Sequence, residues 1–150
     1  MTTDDPVAGA RAAMAGARAA MAGARAAMAG ARAAIDGFMA AFNAEDAEAI
    51  RSRWFHFPHV RFHSGEVTLM QRPEDFHNLV WSRAGQAKDW TRSAWDYVET
   101  IDAGPDKVHF RVQFTRYRTD GSPIGSYRSL YIVTFQNGRW GIQGRSSWAA

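Results

Sequence analysis

From Trp90 onward the apolar residues of this chain recur at every second position, and turn-forming dipeptides interrupt the pattern at intervals. Strand side chains alternate between two faces, so such a stretch buries one face and folds as a sheet with one covered side. Val108, Phe110, Val112 and Phe114 make up one face of the clearest strand, and His109, Arg111, Gln113 and Thr115 the other. Trp90 to Ile101, Tyr127 to Phe135 and Arg139 to Trp148 read as strands on the same grounds. Ala103-Gly104-Pro105-Asp106, Asp120-Gly121 and Asn137-Gly138 separate them, and short links of that composition join antiparallel neighbours. The second half is therefore predicted to be a four-stranded antiparallel meander.

Upstream the spacing is helical. Ile35, Phe38, Met39 and Phe42 form one apolar face, and Asn43-Ala44-Glu45-Asp46 ends it. Asp46 is a good N-cap for a second short helix from Ala47 to Trp54, which Pro58 prevents from continuing. His59 to His63 alternates, Ser64-Gly65 turns, and Glu66 to Gln71 alternates again, which predicts a hairpin. Pro73-Glu74-Asp75 opens a further helix, with Phe76, Leu79 and Val80 as its buried face and Gly85 as its end. Helices and a hairpin ahead of a meander make an α+β layout.

Residues 8–35 are four consecutive copies of a seven-residue unit, AGARAAM three times and then AGARAAI. Its period aligns Met14, Met21, Met28 and Ile35. Arg18 follows Met14 by four residues, however, so charge shares a face with the apolar stripe and amphipathicity is weak. Each glycine also costs roughly 1 kcal/mol against alanine in a helix interior. Residues 1–34 are thus expected to be a helical extension frayed towards Met1, with the domain proper at 35–150. An oligomerising small-residue helix and an Arg-rich targeting segment are the sharper alternatives.

A chain of 150 residues that is 46% hydrophobic suits one domain, and zero cysteines remove disulfides and thiol nucleophiles. No apolar run approaches the ~20 residues that span a bilayer, so no membrane association and a cytoplasmic location are expected. The net charge is +3, but residues 1–34 carry four arginines against Asp4 and Asp5, leaving only +1 on the body. Nucleic-acid binding needs clustered cations, so the near-balanced body speaks against it. Neither a glycine-rich phosphate loop nor a G-x-S-x-G nucleophile elbow is present.

The run Phe38-Met39-Ala40-Ala41-Phe42-Asn43-Ala44-Glu45-Asp46, the short helix after it and the terminal Gly138-Arg139-Trp140-Gly141 resemble the nuclear transport factor two-like superfamily, also described as SnoaL-like. The resemblance spans Ile35 to Trp148. It implies a cone: a strongly curved antiparallel sheet packed by N-terminal helices around a pocket. The superfamily holds ketosteroid isomerases, polyketide cyclases, dehydratases, epoxide hydrolases and non-catalytic carriers or association domains, so fold alone does not select a function. In it the sheet surface often pairs two subunits, which implies a homodimer here.

His56, His59 and His63 lie close together, and on a strand His59, Arg61 and His63 share one face. An arginine between two histidines opposes a cation, so no metal site is predicted. Acid–base work suits histidine, whose proton exchanges near neutral pH; the plainer reading is a polar strand face with satisfied imidazoles. Similarity to the ketosteroid isomerases places their helix-one tyrosine at Phe38, which has no proton to donate. It places their catalytic aspartate at Phe62 or His63, and their second oxyanion donor near Tyr131. A His63 base with a Tyr131 donor would remove a proton beside a carbonyl and stabilise the enolate.

Asp96, between Trp95 and Tyr97, is a further candidate acid or base, although alternation that turns Trp95, Tyr97 and Ile101 inward turns Asp96 outward. Arg116 continues the inward series of its strand and either binds an acidic ligand or caps the strand end. The rings of Trp95, Tyr131, Trp140 and Trp148 are core packing or the walls of a flat-ligand pocket. His59, Trp95, Arg116 and Phe38 are the expected ligand-lining residues. The expectation is a protein without cofactor that binds a small hydrophobic, cyclic or carbonyl-bearing molecule, with isomerase, cyclase or dehydratase-type proton transfer. A non-catalytic binding or association domain is the alternative.

Overall fold

The computed structural model describes residues 5–76 and 89–148. The chain opens with α1, Pro6–Asn43, then α2, Ala47–Ala49, which runs into a π-helical turn at Ile50–Trp54. Strands β1, Phe55–His63, and β2, Glu66–Met70, precede a short 3-10 turn at Pro73–Asp75. Strands β3, Trp90–Ala103, β4, Lys107–Arg118, β5, Pro123–Gln136, and β6, Arg139–Ser147, complete it. All six strands form one curved, open sheet in the order β2-β1-β6-β5-β4-β3. The α+β class and the meander are as the sequence predicts. The helix expected after Pro73, with Leu79, Val80 and Gly85, falls largely outside the described residues. No described helix is long and apolar enough to cross a membrane.

Two differences from the predicted sheet matter for the site. The sheet is mixed, because β1 pairs with β6 in parallel, Arg61 beside Arg145 and Phe62 beside Ser146. That pairing joins segments far apart in sequence and leaves no periodic signal. Secondly, Tyr97 and Ile101 were expected to face inward, yet they are 40% and 47% exposed. The β3–β4 register shifts between Trp95 and Tyr97 and again between Thr100 and Asp102. Each bulge inserts one residue and reverses the alternation beyond it. Trp95 therefore packs inside while Tyr97 turns to solvent.

The core lies where α1 crosses the concave face. Ala27, Ala31, Ala34, Ile35, Phe38 and Phe42 of the helix pack with Phe55, Val108, Phe110, Val112, Tyr131, Val133 and Ile142 of the sheet. Burying each large apolar side chain contributes roughly 1.5–3 kcal/mol. The C-terminal end of α1 is fixed by Asn43, whose amide donates to Ser93 O and whose carbonyl accepts from Ser93 N, each at 2.8 Å. Asp5 and Asp46 cap α1 and α2 by accepting from Val7 N and Ala49 N. At the β5–β6 turn Asn137 and Gly138 both take positive φ, 54° and 76°, as that dipeptide predicts.

The seven-residue repeat is helical from Pro6, and its early copies stand clear of the sheet: Met14 and Met21 are each 54% exposed. Packing begins at Ala27. Its glycines consequently differ in role. A Cβ on Gly9, Gly16 or Gly23 meets nothing, whereas one on Gly30 runs into the Trp140 indole and one on Gly37 into the Trp54 indole. Gly37→Ala is therefore expected to cost about 1–3 kcal/mol through overpacking and to lower the melting temperature. Gly16→Ala should leave the melting temperature unchanged and raise far-ultraviolet helicity; equal effects at both positions would contradict this division.

Candidate functional site

Alternation on three neighbouring strands sends polar side chains under α1. Arg116 continues the inward series of β4, Tyr131 lies on β5, and Arg145 lies opposite Tyr131 on β6. Arg61 of β1 is the next residue across, paired with Arg145. With Phe38, Met39 and Phe42 of α1, and Ser93, Phe114 and Ser147, they line a cavity of about 40 Å³. The wall thus combines four aromatic rings with three arginines, and none of these residues is a carboxylate or an imidazole.

Arg145 is the centre of the arrangement. Its guanidinium lies 4.8 Å from the centroid of Phe55 and 5.5 Å from that of Phe38. Its Nε donates to His59 Nε2 at 3.0 Å, and a side-chain hydrogen bond links it to the Tyr131 phenol. Burial, reinforced by the charge of Arg61, pushes its pKa down to about 10. Burial likewise raises the Tyr131 phenol, with nearby arginines opposing. Arg116 rests on the Tyr127 ring at 4.9 Å, and its buried Nε has no hydrogen-bond partner.

His59 serves this centre without lining the cavity. Because Nε2 accepts from Arg145, the proton sits on Nδ1 and is donated to Ile142 O at 2.9 Å. The ring stacks on Phe55 at 4.0 Å. Burial, and then the charge of Arg145, hold its pKa well below the usual histidine value. A neutral imidazole with both nitrogens engaged positions an arginine and is not available as a base.

Among the other expected residues, Phe38, Arg116 and Tyr131 converge on the cavity. Trp95 stands behind it, against Tyr131 at 5.7 Å and Phe114 at 6.3 Å, with its indole N–H donating to Asp36. His63 does share a strand face with His59 and Arg61, but it lies beyond the cavity wall, with Nε2 3.4 Å from Glu66 Oε2. Asp96 accepts from Thr115 Oγ1 at 2.7 Å and Gln113 Nε2 at 3.0 Å, side chains of the sheet face away from α1. Among the described residues no group of three or more His, Asp or Glu side chains is placed to hold a metal ion. Sequence reasoning missed Arg61 and Arg145 as site residues. The signal for Arg61 was its place between His59 and His63; for Arg145 it was parity with Ser147.

A helix laid across a curved sheet, with a cavity between them, places the chain in the cone-fold class. Residues 27–147 match the family described as NTF2-like protein (DUF6841), and the chain belongs to that family. No curated protein matches it. Among solved structures it is similar to a protein of unknown function with a cystatin-like fold from Nostoc punctiforme, at TM-score 0.63 and 13% identity over 82% of this chain and 90% of that one. It is also similar to a ketosteroid isomerase-like protein from Erwinia carotovora atroseptica, at TM-score 0.59 and 17% identity over 80% and 93% of the two chains. An NTF2-like protein of unknown function from Pseudomonas putida gives TM-score 0.58 and 15% identity over 79% and 83%. Identities this low establish the shared fold alone.

The histidines generate a pH prediction. A histidine whose folded pKa lies below its unfolded value is less protonated in the folded state, so its contribution is full above the unfolded pKa near 6.5 and is lost as pH falls. His59 and His56 are both depressed, in each case chiefly by burial. The melting temperature should fall between pH 7 and pH 5, and His59→Gln should flatten that slope. A flat profile in the native chain would contradict a neutral His59.

Proposed function

We propose that this chain is a small-molecule-binding domain whose ligand occupies the cavity between α1 and the concave sheet face. The observation that carries this reading is the convergence of Tyr131, Arg116 and Arg145 on an aromatic cavity. Folding alone does not call for cations there, since buried charge is costly and apolar residues would pack as well. Tyr131 and Arg145 are directed to bind a ligand oxygen and to stabilise negative charge on it. Proton abstraction would need a base, and the described lining residues provide none, which favours binding over isomerase or cyclase chemistry.

The test is a fragment screen read by amide chemical shifts on the full chain. Shifts should cluster at Phe38, Phe42, Tyr131 and Arg145. Phe38→Trp, which fills the cavity, should remove them while the fold persists, and Tyr131→Phe should weaken binding by roughly three- to tenfold, the worth of one hydrogen bond. Shifts on the outer sheet face only would overturn the reading.

The outer face supports a second role, self-association. Phe62, Val67, Leu69, Leu130 and Ile132 are all exposed there, with Phe62 beside Val67 and Val60 beside Leu69 across the β1–β2 ladder. Monomeric proteins rarely expose contiguous apolar patches of this kind, and an apolar strip is complementary to a rotated copy of itself. Native mass spectrometry should find two chains per particle, and Phe62→Glu with Leu69→Glu should give one. A single chain at micromolar concentration would exclude the dimer.

A further inference from the structure

We infer that the ligand of this cavity is a small organic carboxylate, its anionic end held by Arg116 and Arg145 and its apolar body laid against Phe38, Phe42 and Phe114. This rests on the binding reading above and adds the sign of the ligand's charge. Arg116 is 7% exposed and Arg145 8% exposed, so neither charge is solvated in the ordinary way. Among the described residues no aspartate or glutamate forms an ion pair with either. Their partners are neutral: the His59 imidazole, the Tyr131 and Tyr127 phenols, and ring faces. Arg116 Nε is a buried donor without an acceptor, and Ser129 Oγ, two residues before Tyr131 on the same face of β5, is another. Arg61 adds a third positive charge beside Arg145.

The buried charges of Arg116 and Arg145, with no carboxylate partner among the described residues, fix the sign of what completes the cavity. The geometry narrows the class further. A guanidinium presents paired donors that match the two oxygens of a carboxylate. Three phenylalanines on the same cavity suit an apolar body and disfavour a strongly hydrated inorganic anion. The volume is small, about 40 Å³, and partly open, which suits a short aliphatic chain or a single ring that lies partly outside it.

The experiment titrates the full, nitrogen-15-labelled chain with acetate, butyrate and benzoate, and in parallel with acetamide, butyramide and benzamide, at constant ionic strength. The arginine Nε–H resonances of Arg116 and Arg145 and the amides of Phe38 and Tyr131 are followed. Saturable shifts with the carboxylates, at least tenfold tighter than with the matching amides, are expected. Arg116→Gln should erase that preference, and Arg116→Lys should restore part of it; retained amide dispersion reports that both variants fold. Amides binding as tightly as acids would overturn the carboxylate assignment and leave the binding reading standing. Sodium sulfate moving the same resonances as strongly as benzoate would overturn the assignment in favour of a general anion site. No saturable shift with either series would overturn both.

Discussion

A column of rings ties the helix to the sheet, and the rest of the site is arranged around it. Phe38 of α1 lies on Phe55 of β1 at 5.3 Å, and Phe55 lies on His59 at 4.0 Å. Arg145, reaching in from β6, closes the column by covering Phe55 and donating to His59. Three elements distant in sequence are thereby fixed at one point: the helix angle over the sheet, the parallel β1–β6 pairing, and the direction of the guanidinium. One edge of that guanidinium is committed to imidazole and one face to a ring, and the residue lines the cavity beside Tyr131.

This column explains the unusual chemistry of its members. A histidine beside an arginine is unfavourable when both are charged, and burial worsens it. The conflict is resolved by keeping the imidazole neutral, which converts it from a rival cation into an acceptor. His59 is therefore polar, buried and without role in proton exchange, although a histidine in a cleft invites the opposite assignment. Tyr131 completes the set: it contacts Phe38 and Trp95 edge-on while its phenol meets Arg145. Packing against rings thus orients both Tyr131 and Arg145.

Local rules made much of this legible from the residues. The face of β4 followed from alternation, and it carried Arg116 correctly inward. Asp46 as a cap and Asn137-Gly138 as a turn needed only neighbouring residues to recognise. What escaped depended on distant partners. The parallel β1–β6 pairing has no local signature, and without it Arg61 and Arg145 had no reason to be neighbours. The bulge of β3 between Trp95 and Tyr97 reversed the parity of Tyr97 and Ile101, since alternation counts residues and an inserted one shifts the count. The histidines stood out in the sequence as groups that move protons, whereas the cavity is lined by arginines and aromatic rings.

Placing Arg61 and Arg145 side by side has an energetic consequence that bears on function. Like charges directly opposite in a sheet are destabilising, and desolvation adds to that cost. Neutral partners such as His59 and Tyr131 offset part of it by hydrogen bonding, yet they carry no opposing charge. The column does not call for the charge itself, because covering Phe55 is something an apolar side chain of similar length would also do. On the proposed reading, Arg116 and Arg145, buried and without a carboxylate partner among the described residues, make a scaffold whose free energy falls when an anion arrives, and mass action converts that into affinity.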